Sequence, residues 1–317
     1  MTVNIGVVMD PIGSIKPVKD STLAMLLEAQ RRHWNIHYME QGDLYIRHDH
    51  CRALTKQLEV RDDLDDWFSF HGESDIALEQ LDVVLMRKDP PFDIEYIYTT
   101  YLLELAEQHG VLIVNKPQSL RDANEKLFTS RFPELTPETL VSRNARLIRN
   151  FIEEQQDVIL KPLGGMGGAS IFRVRPQDPN IAVILETLTN HGQEYTMAQR
   201  FIPEIKDGDK RILMIDGEPV PYTLARIPAQ GETRGNLAAG GVGEGRPLEA
   251  VDYEIAKAVG PVLKEHGILF AGLDVIGDRL TEVNVTSPTC IRELDKQFNI
   301  NIAGTLMDAI EAKLGSA

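Results

Sequence analysis

Cysteine is scarce in this chain. Cys51 and Cys290 are the only two in 317 residues, too few for a disulfide framework, and that scarcity suits a reducing cytoplasm. Basic residues are outnumbered, 33 Lys and Arg against 48 Asp and Glu. The resulting formal net charge of −15 argues against nucleic acid or an anionic membrane as partner, because the protein's field repels phosphate polymers. No apolar run approaches the length of a membrane span. The opening Met-Thr-Val-Asn-Ile-Gly-Val-Val-Met-Asp has no basic leader and stops at Asp10, so it reads as a strand and not as a secretion signal. Two nucleotide fingerprints are also missing. No Gly-Lys-Ser/Thr closes a Walker A loop, and the first strand ends in Met-Asp-Pro without G-x-G-x-x-G, which disfavours a dinucleotide oxidoreductase. Neither internal repeats nor low-complexity tracts occur. What remains is ordinary: 43% hydrophobic and 26% charged residues, in a chain long enough for one large domain or two to three small ones.

Apolar runs at 3–9, 35–39, 83–86 and 111–114 alternate with helical patterns at 21–30 and 94–108, the first capped by Asp20-Ser21. This alternation predicts an N-terminal doubly wound parallel-sheet domain over 1–122, with ligands beyond the carboxyl ends of its strands, at the loops 10–19 and 87–92. The polar stretch 41–74 reads as a hairpin or excursion. Residues 123–201 read as a small α+β lid, with Lys126 on the exposed run of a helix. Residues 202–317 read as a further antiparallel unit with a hairpin turn at Asp216-Gly217 and arginines at 211 and 226. Between Ile227 and Leu248, six glycines with Arg234 and Asn236 predict a long irregular loop over 229–246, either a functional lid or a linker.

Two stretches carry chemistry. The first runs Asp157-Val-Ile-Leu-Lys161-Pro-Leu-Gly164-Gly165-Met166-Gly167-Gly168-Ala-Ser-Ile-Phe-Arg-Val, a strand, a glycine-rich loop and a second strand. Glycines let backbone N–H groups turn toward an anion, and a lysine at the end of the leading strand supplies a point charge, so the hairpin can fold over phosphates. The second runs Gly272-Leu-Asp274-Val-Ile-Gly-Asp-Arg-Leu-Thr-Glu282-Val-Asn284. Glu282 and Asn284, two apart on a strand, share a face. A three-residue turn at 277–279 sets Asp274 opposite Glu282, whereas a two-residue turn sets Leu273 there. In the first register three hard oxygen donors converge, a set suited to Mg²⁺. Together with an earlier lysine, two strand arginines and the glycine-rich loop, these pieces make an ATP–Mg²⁺ site between two α+β units.

Seven stretches resemble the ATP-grasp ligases, and within them the bacterial glutathione synthetases. They are Val8-Met-Asp-Pro, Met86-Arg-Lys-Asp-Pro-Pro-Phe, Asn115-Lys-Pro-Gln-Ser-Leu-Arg-Asp, Asn124-Glu-Lys-Leu, Ile159-Leu-Lys-Pro-Leu-Gly-Gly-Met-Gly-Gly, Glu232-Thr-Arg-Gly-Asn-Leu-Ala-Ala-Gly-Gly and Glu282-Val-Asn-Val-Thr-Ser-Pro-Thr. They span nearly the whole chain, in order. The resemblance implies an ATP-grasp fold and a cytoplasmic homotetramer that joins γ-glutamylcysteine to glycine with release of ADP and phosphate, through an acyl phosphate. It implies Mg²⁺, with Mn²⁺ as a substitute, on Asp274, Glu282 and Asn284. Lys126, Lys161 and the loop 164–168 would hold ATP phosphates, the backbone of Gln199, Arg200, Phe201 and Ile202 adenine, and Asp209 ribose. Arg211, Arg226, Arg234 and Asn236 would flank the reacting carboxylate and phosphoryl group. Cys290 reads as a buried thiol and not a nucleophile, since this route needs no covalent enzyme intermediate. Alternatives are another ATP-grasp carboxylate–amine ligase, acting on a dipeptide or a protein terminus, and a noncatalytic nucleotide-sensing module.

Overall fold

The computed structural model describes residues 2–165, 168–229, 231–232, 235 and 241–315. The chain opens with β1 (Asn4–Val8), α1 (Ser21–Arg31), β2 (Asn35–Met39), β3 (Leu44–Arg47), β4 (His50–Val60), β5 (Phe68–Ala77), β6 (Val83–Met86), α2 (Ile94–Gln108) and β7 (Leu112–Val114). β2, β1, β6 and β7 lie side by side and parallel, as the alternating pattern predicts. The carboxylate of Asp20 accepts from the Leu23 amide and caps α1. The stretch 41–74 is where the structure departs from a wholly parallel sheet. β3, β4 and β5 form antiparallel hairpins that extend the sheet through β2. Their outer positions are polar because one face of such an extension meets water.

A second sheet follows α3 (Pro117–Asp122) and is built from β8 (Thr139–Ser142), α4 (Ala145–Gln155), β9 (Val158–Pro162), β10 (Phe172–Val174), α5 (Ile181–Leu188) and β11 (Thr196–Arg200). Its order is β10-β9-β11-β8, all antiparallel. Ile148 and Ile152 of α4 pack with Leu185 and Leu188 of α5 on Leu160 and Ala198, a small core separate from those of the other sheets. The third sheet, in order β14-β13-β12-β15-β16, comprises β12 (Asp209–Ile215), β13 (Glu218–Ile227), β14 (Val242–Pro247), β15 (Phe270–Ile276) and β16 (Arg279–Asn284). It packs with α6 (Ala250–Glu265), α7 (Ile291–Phe298) and α8 (Ile302–Leu314), and its cores are continuous with those of the first sheet. The irregular loop expected over 229–246 is shorter than predicted, because Val242–Pro247 pairs with β13 as an edge strand. Three glycyl or prolyl residues among its six masked that strand in the sequence. Among the described residues, no helix is long and apolar enough to cross a membrane.

Candidate functional site

The glycine-rich hairpin β9–β10 forms one wall of a cleft of about 180 Å³ whose floor is β12, β15 and β16. Its two strands are tied at the open end by Asp157, which pairs with Arg173 at 2.6 Å and with Arg175 at 3.0 Å. At the cleft end, Gly165 passes so close to Pro162 that a Cβ would lie 2.8 Å from its ring, a fit that only glycine allows. Gln199, Arg200, Phe201 and Ile202 line the opposite edge. The Gln199 side chain is turned away to Thr139, its amide 3.2 Å from the hydroxyl, which leaves the backbone of this segment as its contribution to the cleft.

Lys161, on β9, is buried, and its Nζ lies 3.4 Å from both the Thr281 carbonyl and Glu282 Oε1. Burial pushes its pKa down, against the pull of Glu282. Lys126 corrects the sequence reading. It is not on an exposed helical run but buried at the start of a short 3-10 turn, Leu127–Arg131, donating to the Gly165 carbonyl at 2.6 Å and lying 3.7 Å from Glu282 Oε1. The two lysines therefore converge on one carboxylate. Burial opposes ionisation of Glu282, but the paired ammonium groups hold its pKa below the ordinary value.

Asp274 does face Glu282, though by a different route from the three-residue turn. The β15–β16 turn has two residues, with Ile276 opposite Arg279 and Val275 opposite Leu280, and a bulge at Thr281 then restores the pairing of Asp274 with Glu282 and of Gly272 with Asn284. Arg211 lies directly across from Asp274 on β12, and Asp209 directly across from Arg226 on β13. Arg211 Nε donates to Asp274 Oδ1 at 2.5 Å and its Nη2 to Oδ2 at 3.0 Å. Arg226 Nη2 bridges Asp274 Oδ2 at 2.9 Å and Asp209 Oδ2 at 2.5 Å. Burial disfavours the Asp274 anion, yet the two guanidinium groups hold its pKa well down. For Asp209, burial wins and, with the neighbouring Asp274 charge, pushes the carboxyl up to about 7 even beside Arg226. Gly235 seals this corner: a Cβ there would stand 2.4 Å from the Arg226 carbonyl and 2.9 Å from Asp209 Cβ.

A second cleft of about 420 Å³ adjoins the first and shares Glu125, Arg211, Arg226 and Asn284 with it. Its far wall carries Asp10, Lys16 and Lys19 from the loop after β1 and Asp89 from the loop after β6, at the strand ends that the parallel pattern predicts. Cys290 lines it too, as a buried thiol whose pKa burial raises. Buried Arg87 ties the walls together, donating to Thr22 Oγ1 at 3.1 Å and to the Pro288 carbonyl at 2.9 Å. Sequence reasoning missed Glu125. Its Oε1 accepts from the amides of Val285 and Thr286 at 3.0 and 3.1 Å and from the Thr286 hydroxyl at 2.8 Å, bracing the segment after Asn284. Its place in Asn124-Glu-Lys was the available signal, but nothing local marks a glutamate as buried. The expectations for Arg234, Asn236, Met166 and Gly167 lie outside the described residues.

Family profiles match on both sides of residue 122. The prokaryotic glutathione synthetase N-terminal domain matches residues 3–121, and the prokaryotic glutathione synthetase ATP-grasp domain matches residues 125–299. The chain is 64% identical over 312 residues to the glutathione synthetase of Escherichia coli strain K12, covering 98% of this chain and 99% of that one. It is 65% identical over 312 residues to that of Vibrio parahaemolyticus, with the same coverage. Among solved structures, the D-cycloserine synthetase DcsG superposes with a TM-score of 0.69 at 14% identity, covering 98% of this chain and 100% of that one, a likeness of fold.

Proposed function

Because this chain belongs to the prokaryotic glutathione synthetase family, we propose that its two adjoining clefts divide the work of one ligation, the hairpin cleft taking ATP and the second taking a dipeptide carboxylate. The chain is an ATP-dependent ligase that makes glutathione. The observation that carries the division is that Arg211, Arg226 and Asn284 line both clefts, so a carboxylate held in one and a γ-phosphate held in the other meet at the same cations.

In this reading the purine lies along the backbone of 199–202, the ribose reaches toward Asp209, and Lys126 and Lys161 leave Glu282 to hold phosphates. The cysteinyl carboxylate of γ-glutamylcysteine attacks the γ-phosphorus and ADP departs. The arginines, already fixed, and the lysines, once moved onto the phosphates, stabilise the charge spread over the transferring group. Glycine's amine then attacks the acyl carbon of the resulting acyl phosphate, phosphate leaves, and the amine's proton is lost to solvent or phosphate. Because an acyl phosphate hydrolyses readily, the segment between Ile227 and Val242, with Arg234 and Asn236, is assigned the part of a cover over the site.

The donor chemistry fits magnesium. Asn284 donates its Nδ2 to the Gly272 carbonyl at 3.1 Å, which leaves its amide oxygen as the free end beside the carboxylates of Asp274 and Glu282. Asp274, Glu282 and Asn284 would hold the ion, Asp274 while remaining paired to its arginines, and the bound ion would neutralise phosphate charge. Mn²⁺ satisfies the same oxygen set. We further assign the units 1–122, 123–201 and 202–317, a cytoplasmic location consistent with two buried free thiols, and a homotetramer, which sedimentation would check.

ADP release tests the substrate reading. It should require both γ-glutamylcysteine and glycine, and equal turnover with D-alanine as the sole amino acid would refute it.

A further inference from the structure

Away from both clefts, three segments of the first sheet's edge bring together two imidazoles and a carboxylate. His50 is the first residue of β4, Glu79 lies in the short 3-10 turn Leu78–Gln80 that leads into β6, and His109 caps the C-terminus of α2. One ligand atom from each lies within 4.8 Å of the other two. Glu79 Oε1 is 3.0 Å from His50 Nδ1 and 3.3 Å from His109 Nδ1, and the two rings stack with centroids 5.3 Å apart.

Three details distinguish this cluster from a chance surface ion pair. Glu79 is the least exposed of the three at 20%, and its Oε2 is buried with no donor from another residue among the described ones. A carboxylate that gives one oxygen to two rings and leaves the other buried with no donor from another residue is poorly satisfied by its neighbours alone. His109 Nδ1 also lies 2.9 Å from the Leu105 carbonyl, a backbone acceptor that fixes the ring beside Glu79. Finally, Asp49 Oδ1 sits 3.4 Å from His50 Nε2 and holds that ring from the side away from Glu79, with Nδ1 left facing the carboxylate. Cys51, next in the chain, takes no part: it is buried in the core, and burial pushes its thiol up to about 12.

We propose that His50, Glu79 and His109 form a binding site for one first-row divalent ion of the zinc type, which clips the β3–β4 hairpin to the C-terminus of α2. Two imidazole nitrogens and a carboxylate suit zinc and its neighbours and not magnesium, which prefers oxygen alone, so this site and the catalytic one select different ions. Water completes the coordination. Exposure of both rings leaves the site open to ions in solution.

The test is calorimetric titration of metal-stripped, tag-free protein with Zn²⁺, in excess Mg²⁺ and a nonhydrolysable ATP analogue so that the catalytic cleft is filled. One further equivalent of Zn²⁺ per chain is expected. His109→Ala, His50→Ala and Glu79→Gln should each weaken it at least about tenfold, while His191→Ala, a distant exposed histidine, leaves it unchanged. Basal ligase activity should survive in all four, showing that the fold is intact. Co²⁺ should give visible d–d absorption in the parent protein and lose it in His109→Ala, and Zn²⁺ should raise the melting temperature of the parent and of His191→Ala but not of the three site variants. Absence of a Zn²⁺ site beyond the one that Mg²⁺ fills, or one that survives loss of both histidines, overturns the proposal.

Discussion

The charged floor shared by the two clefts is built in two different ways. At the Asp274 end, Arg211, Arg226, Asp274 and Asp209 are locked in contacts of 2.5 to 3.0 Å, all within the β12–β13–β15 ladder. At the Glu282 end, Lys161 and Lys126 stand 3.4 and 3.7 Å from their common carboxylate. Arginines held by opposite strands keep their positions whatever binds. Lysines on flexible stems at longer range can move to a phosphate, and the desolvation that depresses the pKa of Lys161 makes an incoming anion a better partner than water is. One end is thus a preformed frame for the reacting groups, and the other a pair of cations waiting for substrate.

Breaking the frame should cost most. Arg211→Met strands Asp274 with one partner in place of two, and removal of one member of a buried ion network costs roughly 3–5 kcal/mol. Urea denaturation should register that loss, with ligase activity falling below detection. Glu282→Gln strikes the looser end. It should change stability by under ~2 kcal/mol, because Lys161 can yield its proton when its partner is lost, yet shift the Mg²⁺ requirement to higher concentration and lower turnover about a hundredfold. A magnesium titration that overlays the parent's removes Glu282 from the site. Lys161→Met, which keeps the buried stem and deletes the charge, should leave the melting temperature nearly unchanged and raise the KM for ATP at least tenfold, on the order of the 1.4 kcal/mol that one such contact supplies. Equal destabilisation by Lys161→Met and Arg211→Met would erase the contrast between the two ends.

The smallest effect concerns Asp209. Its folded carboxyl, near 7, stands above the ordinary 3.8. Between those values the folded protein holds a proton that the unfolded chain has lost, so this group's contribution to stability is greatest below about pH 4 and falls as pH rises toward 7. Asp209→Asn should flatten the pH dependence of stability across that window. An unaltered slope would mean that Arg226 keeps Asp209 ionised throughout.

What was legible in the sequence was whatever depends on local pattern. The hydrophobic runs of β1, β2 and β6, the Asp20 cap, the hairpin around 164–168 and the shared face of Glu282 and Asn284 all follow from neighbours one to four residues apart. The pairing of Asp274 with Glu282 was foreseen with the wrong turn, because a bulge at Thr281 is invisible without the partner strand. Lys126 read as a surface residue because its burial comes from Gly165 and Glu282, 39 and 156 residues away along the chain. The same reason hid Glu125, and hid Lys210, whose ion pair with Asp252 of α6 is wholly interior. Short elements were the other gap: β8 and α7 carry too few periodic positions to stand out, and the stretch 41–74, legible as a hairpin or excursion, hid its strand bounds because the hairpins expose half their residues.

The division of labour between the clefts rests on the dipeptide carboxylate attacking ATP at the arginines they share. Oxygen-18 placed in the cysteinyl carboxylate of γ-glutamylcysteine, with glycine and ATP supplied, tests this directly by mass analysis of the released phosphate. One labelled oxygen should appear in the phosphate for each glutathione formed; label retained wholly in the peptide product and unreacted dipeptide would contradict attack by that carboxylate.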